Sequence, residues 1–283
     1  MHNPTPLHAE FGVRLECPSI EALDIAALRQ LIDRYSFIHI PGIASGDETH
    51  LALTRSLGEP EAEHVRLGRE GKVAWFGTVG NVREDGTVRR NDHKETVYQT
   101  GNNMWHSDSS FRAVPSFVSI TCAYETPDEG GETLFASQRS AWNRLAASDQ
   151  TRLEPLVAIH DYVYSRTKVH PDAVMATHAA SLPPVRQRLV RRNPQTGAKN
   201  LYIGSHAREV EGWSFEKSRD LLDGLLEETT ADEHVLAHRW RPGDLVIWDN
   251  RCLLHRGAGF DADRYRRYMR QTRVKGAGPT LEE

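Results

Sequence analysis

The sequence is poor in cysteine, in long apolar runs and in excess charge of either sign, and each shortage argues against a class of protein. Its 283 residues contain three cysteines, Cys17, Cys122 and Cys252, which lie far apart and form no CxxC pair. They indicate neither a disulfide scaffold nor a zinc knuckle. No apolar run approaches the roughly 20 residues that cross a bilayer, so we expect no membrane partner.

The charge balance gives no sign of a polyanionic partner. The formal net charge is −4 and no basic stripe appears, so we expect no nucleic-acid partner. The locally basic stretch RLVRRNPQTGAK is interpreted as a solvated hairpin. The first twelve residues, MHNPTPLHAEFG, lack the charged and apolar regions of a secretory signal, so a cytoplasmic protein is expected.

Neither a repeat nor a low-complexity linker divides the chain, which predicts one domain over residues 1–283. Two helices are predicted in the first third, over EALDIAALRQLIDRY and over SGDETHLALTRSLG, the second with a capping box from Ser45 to Glu48 and an end at Gly58. From about residue 115, short strand patterns dominate, and they surround one longer helix pattern. The strand patterns are SFVSITCAYE, ETLFAS, LVAIHDYVYS, KNLYIGS, VLAHRW, DLVIWDN and YRRYMRQTRV, and the helix pattern is SFEKSRDLLDGLLEETT.

Because these elements show no βαβ rhythm, we predict a mostly β fold with helical decoration, an antiparallel sandwich or jelly roll. Folds of this class host metal-dependent oxygenases, isomerases and pure binding proteins. The fold class therefore leaves the function open.

A histidine followed two residues later by an acidic residue occurs four times in the chain. With 14 histidines and 39 acidic residues, such pairs also arise by chance. His106 and Asp108, in WHSDSSF, are the best candidates for a metal site, because alternate residues of an extended segment point to the same side. A proline separates His170 from Asp172, and no strand pattern flanks them, so they are assigned to a loop. The four pairs are His8 with Glu10, His93 with Glu95, His106 with Asp108, and His170 with Asp172.

His255 is the candidate for a third metal ligand. It follows the apolar CLL of WDNRCLLHRG and precedes a glycine turn. Two histidines and one carboxylate form the facial triad of non-haem Fe(II) oxygenases, which leaves three positions open on the ion. Catalytic zinc accepts the same ligands, so the three residues alone do not determine the metal.

The last strand pattern places arginines on one face. If that face lies inside a barrel, its guanidinium groups need anionic partners, because a buried unpaired cation is costly. No acidic residue of the arginine-rich stretch supplies one, so ligand carboxylates would. The alternative is a solvated face whose arginines keep an edge strand soluble. The residues of this face are Arg264, Arg266, Tyr268, Arg270 and Thr272.

Over nearly its whole length, the sequence resembles the Fe(II)- and 2-oxoglutarate-dependent dioxygenases related to taurine dioxygenase and 2,4-dichlorophenoxyacetate dioxygenase. The similarity is densest in NMWHSDSSF, GGETLFAS, YIGSHAREVEG and GDLVIWDNRCLLHRG, and two of these motifs look closest to the aryloxyacetate branch. The resemblance implies a double-stranded β-helix, a form of jelly roll, with Fe(II), 2-oxoglutarate and O2 as its requirements. It also implies hydroxylation of a small anionic, aryloxyalkanoate-like substrate, with succinate and CO2 as co-products.

The resemblance further implies roles for individual residues. His106, Asp108 and His255 match the iron ligands of the family. Thr133, in GGETLF, and Arg266, eleven residues past the second histidine, match the pair that holds the far carboxylate of 2-oxoglutarate.

The resemblance also implies three contacts with the prime substrate. Arg270, four residues after the cosubstrate arginine, matches the residue that binds the acidic group, with Asn102 and, at looser spacing, His64 beside it. Two alternatives stay open, a zinc-dependent hydrolase and a non-catalytic jelly-roll protein with a carboxylate pocket. The arginine spacing disfavours the hydrolase, because zinc needs no 2-oxo acid. A homodimer or homotetramer is compatible with the sequence.

Overall fold

The structure is a computed structural model that describes residues 4–62, 74–93, 96, 99–169 and 181–283. His64, His170 and Asp172 lie outside the described residues, so the predictions made for them are not tested. No helix of the described part of the chain is long and apolar enough to cross a membrane. The helices are α1 (Ile25–Tyr35), α2 (Asp47–Leu57), α3 (Gln138–Arg144), α4 (Ala147–Leu153), α5 (Tyr162–Thr167) and α6 (Phe215–Thr229).

Fifteen strands are present in the described residues. They are β1 (Thr5–Pro6), β2 (Val13–Arg14), β3 (Phe37–Ile40), β4 (Gly77–Gly80), β5 (Ser116–Glu125), β6 (Thr133–Ser137), β7 (Val157–His160), β8 (Val185–Arg188), β9 (Val190–Arg192), β10 (Lys199–Leu201), β11 (Ala207–Val210), β12 (Val235–His238), β13 (Leu245–Asp249), β14 (Leu253–Gly257) and β15 (Tyr268–Lys275).

Two sheets enclose a common core. The larger has the order β1-β2-β3-β13-β5-β15-β4, and the smaller has the order β12-β6-β14. Phe37, Trp248 and Met269 of the larger sheet share one apolar cluster with Phe135 and Leu253 of the smaller. The structure therefore confirms the predicted jelly roll. The inner face of each sheet is the side that packs on this cluster.

Helices α1 and α2 cover the outer face of the larger sheet. Leu28 of α1 and Leu53 of α2 pack in one buried cluster with Ile38 and Ile40 of β3. Because side chains alternate along a strand, Phe37 points to the inner core instead. This alternation fixes which residues of every strand can reach a site inside the barrel.

The start of α2 differs from the prediction, although its end at Gly58 is as predicted. Gly46 is the N-cap residue, and no side chain caps the helix. The Oγ of Ser45 has no hydrogen-bond partner, so the predicted box with Glu48 does not form. Ser45 precedes the N-cap position, from which a hydroxyl cannot reach the first free N–H groups of the helix.

The pattern LVAIHDYVYS also divides differently from the prediction. Only Val157–His160 is a strand, and α5 follows it directly. The carboxylate of Asp161 caps this helix by accepting a hydrogen bond of 3.1 Å from the backbone N–H of Tyr164. A strong N-cap here outweighs the strand propensity of the aromatic residues that follow. The predicted hairpin in RLVRRNPQTGAK does form, from β9 and β10, but Arg191 is buried in it and pairs with Glu283.

His50 of α2 is buried between this helix and the larger sheet. Its Nε2 lies 3.2 Å from the carbonyl oxygen of Ile120 and 3.0 Å from the Oγ1 of Thr272. Burial lowers the pKa of His50 to about 4, because the charged imidazolium would lose its hydration there. The unfolded chain therefore takes up a proton near pH 6.5 that the folded chain excludes.

We expect this histidine to make the protein less stable in mild acid. As the pH falls from about 6.5 to about 4, the free energy of unfolding should fall by up to about 1.4 kcal/mol per pH unit for His50 alone. Urea unfolding at several pH values measures this slope. In the His50→Asn variant the slope should be smaller by that amount, and an unchanged slope would show that the imidazole is not held neutral.

Candidate metal centre and cosubstrate pocket

A backbone bridge holds His106 and His255 side by side. His106 follows the short helical turn Thr100–Asn103 and pairs with His255 of β14. The backbone N–H of each donates to the carbonyl oxygen of the other, at 3.0 and 2.8 Å. Paired residues of this kind send their side chains to the same face, and the two ring centroids are 4.2 Å apart. Strand pairing therefore brings the two imidazoles together.

Asp108 completes a cluster of three side chains. Its Oδ1 lies 3.7 Å from the Nε2 of His106 and 3.7 Å from the Nε2 of His255. The candidate ligand atoms of all three residues lie within 4.8 Å of one another. Two imidazole nitrogens and one carboxylate oxygen are the donor set of a non-haem Fe(II) site, and they fit that ion here.

Hydrogen bonds orient these candidate ligands. The Nδ1 of His106 donates to the carbonyl oxygen of Met104 over 2.7 Å, which leaves Nε2 free to bind an ion. The Oδ2 of Asp108 accepts from the Oγ of Ser119 at 2.6 Å and from the Nε2 of Gln271 at 2.8 Å. With this oxygen occupied, Oδ1 is the atom that faces the histidines.

Asn250, which directly follows β13, helps to position Asp108 through hydrogen bonds to its backbone and to Ser119. Its Oδ1 accepts from the backbone N–H of Asp108 at 3.2 Å and from the Nε1 of Trp248 at 3.1 Å. Its Nδ2 donates to the Oγ of Ser119 over 2.9 Å. No motif or pattern in the sequence predicted a role for Ser119, Gln271 or Asn250. The local sequence feature at Asn250 is the WDN that ends the strand pattern DLVIWDN.

Burial and charge keep this cluster in the protonation state that binds a cation. Burial lowers the pKa of His106, and burial with the neighbouring charge of His106 lowers the pKa of His255 to about 3. For Asp108, burial raises the pKa, but the charges of His255 and Arg273 outweigh it and hold the pKa below its usual range. At pH 7 both imidazoles are therefore neutral and the carboxylate is ionised, as metal binding requires.

Arg266 lies on the surface, so the prediction that it holds 2-oxoglutarate is not supported by its position. Its guanidinium pairs with Glu125 at 2.5 and 3.0 Å, and its side chain is 49% exposed. Strand β15 begins at Tyr268, so Arg264 and Arg266 precede the strand. The count of eleven residues from His255 crosses this loop, and strand alternation cannot be carried across a loop.

Arg270 is buried, but it faces away from the metal centre. Its guanidinium pairs with Asp47 of α2 and with Glu84, each at 2.5 Å, and lies over the ring of Phe76. Thr272 points the same way, towards His50. These contacts do not support a ligand carboxylate at Arg270, because carboxylates from outside the strand already compensate its charge.

The odd-numbered residues of β15 face the inside of the barrel instead. Met269 belongs to the inner apolar cluster, and Gln271 reaches Asp108. The charge of Arg273 acts on the same carboxylate. Arg267 precedes the strand, and it is buried next to Gly131, two residues before β6 of the smaller sheet.

Arg267 is a buried guanidinium that forms no ion pair in the described part of the chain. It is 8% exposed, and its Nε has no hydrogen-bond partner. Burial alone lowers its pKa to about 10. Its Nε lies beside Gly131, where a Cβ atom would stand 3.7 Å from it. Since an uncompensated buried cation is costly, the carboxylate of a ligand is the natural partner for this side chain.

Thr133 lies between this guanidinium and the metal centre along the smaller sheet. It follows Gly131 by two residues and pairs with Gly257, which in turn follows His255 by two. Its Oγ1 accepts a hydrogen bond of 2.9 Å from the Nε1 of Trp240. This position agrees with the predicted cosubstrate contact, which stays a prediction.

Asn102 lies in the turn before the first histidine. Its Oδ1 accepts a hydrogen bond of 3.1 Å from the Nη2 of Arg166, a residue of α5 that is 8% exposed. The charge of Arg166 contributes to the lowered pKa of His106, after burial. The pair of Asn102 and Arg166 is therefore close to the metal centre, and the substrate contact of Asn102 stays a prediction.

Comparison with known proteins agrees with this site. Residues 3–273 match the model of the family described as "Taurine catabolism dioxygenase TauD, TfdA family". The chain is 35% identical to the alpha-ketoglutarate-dependent 2,4-dichlorophenoxyacetate dioxygenase of Cupriavidus pinatubonensis (strain JMP 134 / LMG 1197), over 96% of this chain and 97% of the relative. It is 31% identical to the (S)-phenoxypropionate/alpha-ketoglutarate-dioxygenase of Delftia acidovorans, over 98% and 96% of the two chains.

A solved structure shows the same fold over the whole chain. The crystal structure of AAD-2 in complex with Mn(II) and N-oxalylglycine superposes with a TM-score of 0.90 at 30% identity, covering 99% of this chain and 100% of that one. These findings give no support to a zinc hydrolase or to a non-catalytic binding protein. The chain belongs to the TauD/TfdA family, and it is an Fe(II)- and 2-oxoglutarate-dependent dioxygenase.

Proposed function

We propose that this dioxygenase hydroxylates a small organic anion of the aryloxyalkanoate class, with succinate and CO2 as co-products. The observation that carries the proposal is a second buried guanidinium, that of Arg166, whose charge acts on His106 of the cluster formed with Asp108 and His255. Two similar relatives are named for 2,4-dichlorophenoxyacetate and (S)-phenoxypropionate, which are both aryloxyalkanoates.

We assign the cofactor contacts as follows. The Nε2 atoms of His106 and His255 and the Oδ1 of Asp108 would hold Fe(II), which supplies the oxidising chemistry together with 2-oxoglutarate and O2. Arg267, rather than the surface residue Arg266, would bind the far carboxylate of 2-oxoglutarate, with Thr133 beside it. The inner apolar cluster would keep bulk water from this pocket.

The acidic group of the substrate needs a cation other than Arg270. We infer that Arg166 supplies it, because its charge already acts on His106 and because it holds Asn102 in position. Arg273 is the second cation that acts on the centre, but its Nε donates to Glu61 over 3.1 Å. Arg166 contacts Asn102 in the turn before His106, so we propose it for the substrate carboxylate.

The remaining sequence predictions are also kept as proposals. We infer a single domain over residues 1–283, because β3, from the first fifty residues, lies beside β13 and in the same sheet as β15. We further infer a cytoplasmic enzyme without nucleic-acid or membrane partners. The free cysteines Cys17, Cys122 and Cys252 support a reducing compartment. A homodimer or homotetramer stays compatible with the sequence.

The substrate class is tested by the release of succinate. With Fe(II), ascorbate and 2-oxoglutarate, the protein should release succinate slowly, and faster when phenoxyacetate or 2-phenoxypropionate is added. The matching neutral amides should stimulate the reaction weakly, because an amide offers the buried guanidinium no negative charge. Arg166→Gln should lose the stimulation but keep the slow basal release, whereas the surface variant Arg264→Gln should keep both.

Two outcomes would contradict this proposal. Equal stimulation by acids and amides would mean that the substrate is not bound as an anion. Sustained succinate release with Zn(II) in place of Fe(II) would mean that the assigned oxygenase chemistry is wrong.

A further inference from the structure

A second cluster of two histidines and one carboxylate lies inside the fold. His39 belongs to β3, His238 ends β12, and Asp244 immediately precedes β13. The Nε2 of His39 lies 3.0 Å from the Oδ1 of Asp244, and the Nε2 of His238 lies 3.6 Å from its Oδ2. The three candidate ligand atoms lie within 4.8 Å of one another, and the three side chains are 12%, 7% and 3% exposed.

This second cluster is separated from the iron centre by two aromatic rings. The ring of His238 lies 5.7 Å from that of Phe37, which lies 4.7 Å from that of Phe135. The ring of Phe135 in turn lies 6.0 Å from that of His255. The two clusters therefore form separate sites within one barrel.

One nitrogen of the second cluster has no hydrogen-bond partner. The Nε2 of His238 is buried, and at 3.6 Å the carboxylate of Asp244 is too far away for a hydrogen bond. The ring itself is packed against Trp240, with centroids 4.6 Å apart. A buried polar atom without a partner destabilises the fold, so a cation that binds this nitrogen would stabilise it.

The spacing of the three residues suits a small cation. Nitrogen and oxygen ligands that lie about 2.0–2.2 Å from one tetrahedral ion are roughly 3.3 Å apart. The distances of 3.0 Å from His39 and 3.6 Å from His238, each to a different oxygen of Asp244, are close to that value. The Oδ2 of Asp244 accepts the backbone N–H of Arg241 at 2.8 Å, but a carboxylate oxygen has a further lone pair for an ion. His39 would carry its proton on Nδ1, as a metal-bound imidazole does.

We propose that His39, His238 and Asp244 form a second metal site that binds a divalent transition cation such as Zn²⁺. Two imidazoles and a carboxylate, all buried, suit such an ion better than Mg²⁺ or Ca²⁺, which prefer oxygen ligands alone. Strand β3 belongs to the larger sheet and β12 to the smaller, so the ion joins the two sheets. Its role is structural, and it is independent of the iron centre.

The test is zinc binding by a variant that lacks the first site. The full chain with His106→Ala and His255→Ala, freed of metal and then mixed with Zn²⁺, should retain one zinc per chain after gel filtration. Its Tm should rise on adding zinc. Adding His238→Phe should remove both the bound zinc and the rise in Tm. Adding His234→Ala, at the half-buried position before β12, should remove neither.

A second measurement tests the same site if the His238→Phe variant fails to fold. Co²⁺ added to the His106→Ala/His255→Ala chain should give a visible absorption spectrum typical of imidazole and carboxylate ligands, which His39→Gln should abolish. The absence of bound zinc and of a Co²⁺ spectrum in the His106→Ala/His255→Ala chain would overturn the proposal.

Discussion

Replacing Arg267 with methionine is expected to weaken the binding of 2-oxoglutarate by about 30-fold to several thousandfold, without unfolding the protein. Removing one partner of a buried charge pair costs about 2–5 kcal/mol, and each 1.4 kcal/mol is about tenfold in affinity. In the absence of ligand, Arg267 pairs with no acidic residue of the described chain, so its charge contributes no ion pair to stability. The Tm of Arg267→Met without ligand should therefore stay the same or rise.

Arg266→Met is the matched control for this variant. The two residues are neighbours in the chain, but Arg266 is half exposed and pairs with Glu125 at the surface. Its loss should leave 2-oxoglutarate binding unchanged and alter stability by less than about 1 kcal/mol. Equilibrium binding to the metal-loaded proteins without O2 gives the comparison. Weak binding by Arg266→Met together with tight binding by Arg267→Met would show that Arg266, as predicted from the sequence, binds the far carboxylate of 2-oxoglutarate.

Replacing Asp108 with alanine is expected to abolish turnover by removing the one carboxylate that the described residues place at the metal centre. The two imidazoles that remain are neutral, so the bound cation would lose the negative charge that Asp108 provides. Removing one partner of a buried charge pair costs about 3–5 kcal/mol. This cost corresponds to a loss of roughly 10²- to 10³-fold in metal affinity. Iron content after gel filtration and succinate release measure the two effects.

Ser107→Ala is the control within the same segment. Its Oγ points away from the centre and donates to the carbonyl oxygen of Leu253 over 2.7 Å. Its loss should cost about 1 kcal/mol of stability and leave the iron content unchanged. Full iron content in Asp108→Ala would place the metal elsewhere in the protein.

The sequence predicted best those features that depend on local geometry. Strand alternation predicted that His106 and Asp108 face the same side, and the apolar patterns located most of the strands. The pairing of His106 with His255 is different, because two segments about 150 residues apart meet there. It was expected only from the resemblance to a family, since no pattern within either segment specifies a cross-strand partner.

The errors arose where a residue's partner lies outside its own segment. Arg270 looked uncompensated within its strand, but Asp47 and Glu84 come from other parts of the chain. The match of Arg266 to the cosubstrate residue depends on a count of eleven residues that crosses a loop, and we propose the neighbouring, buried Arg267 instead. The cluster of His39, His238 and Asp244 escaped notice for the same reason. Each of its residues is ordinary in its own segment, and only the meeting of two sheets brings them together.

A crystal structure of this chain with Mn(II) and N-oxalylglycine would test the assignment of the site most directly. We expect one ion ligated by His106, Asp108 and His255, with the far carboxylate of the 2-oxoglutarate analogue on the guanidinium of Arg267 and near Thr133. An ion bound without Asp108, or a far carboxylate that leaves Arg267 unpaired, would contradict the assignment of both the metal centre and the cosubstrate pocket.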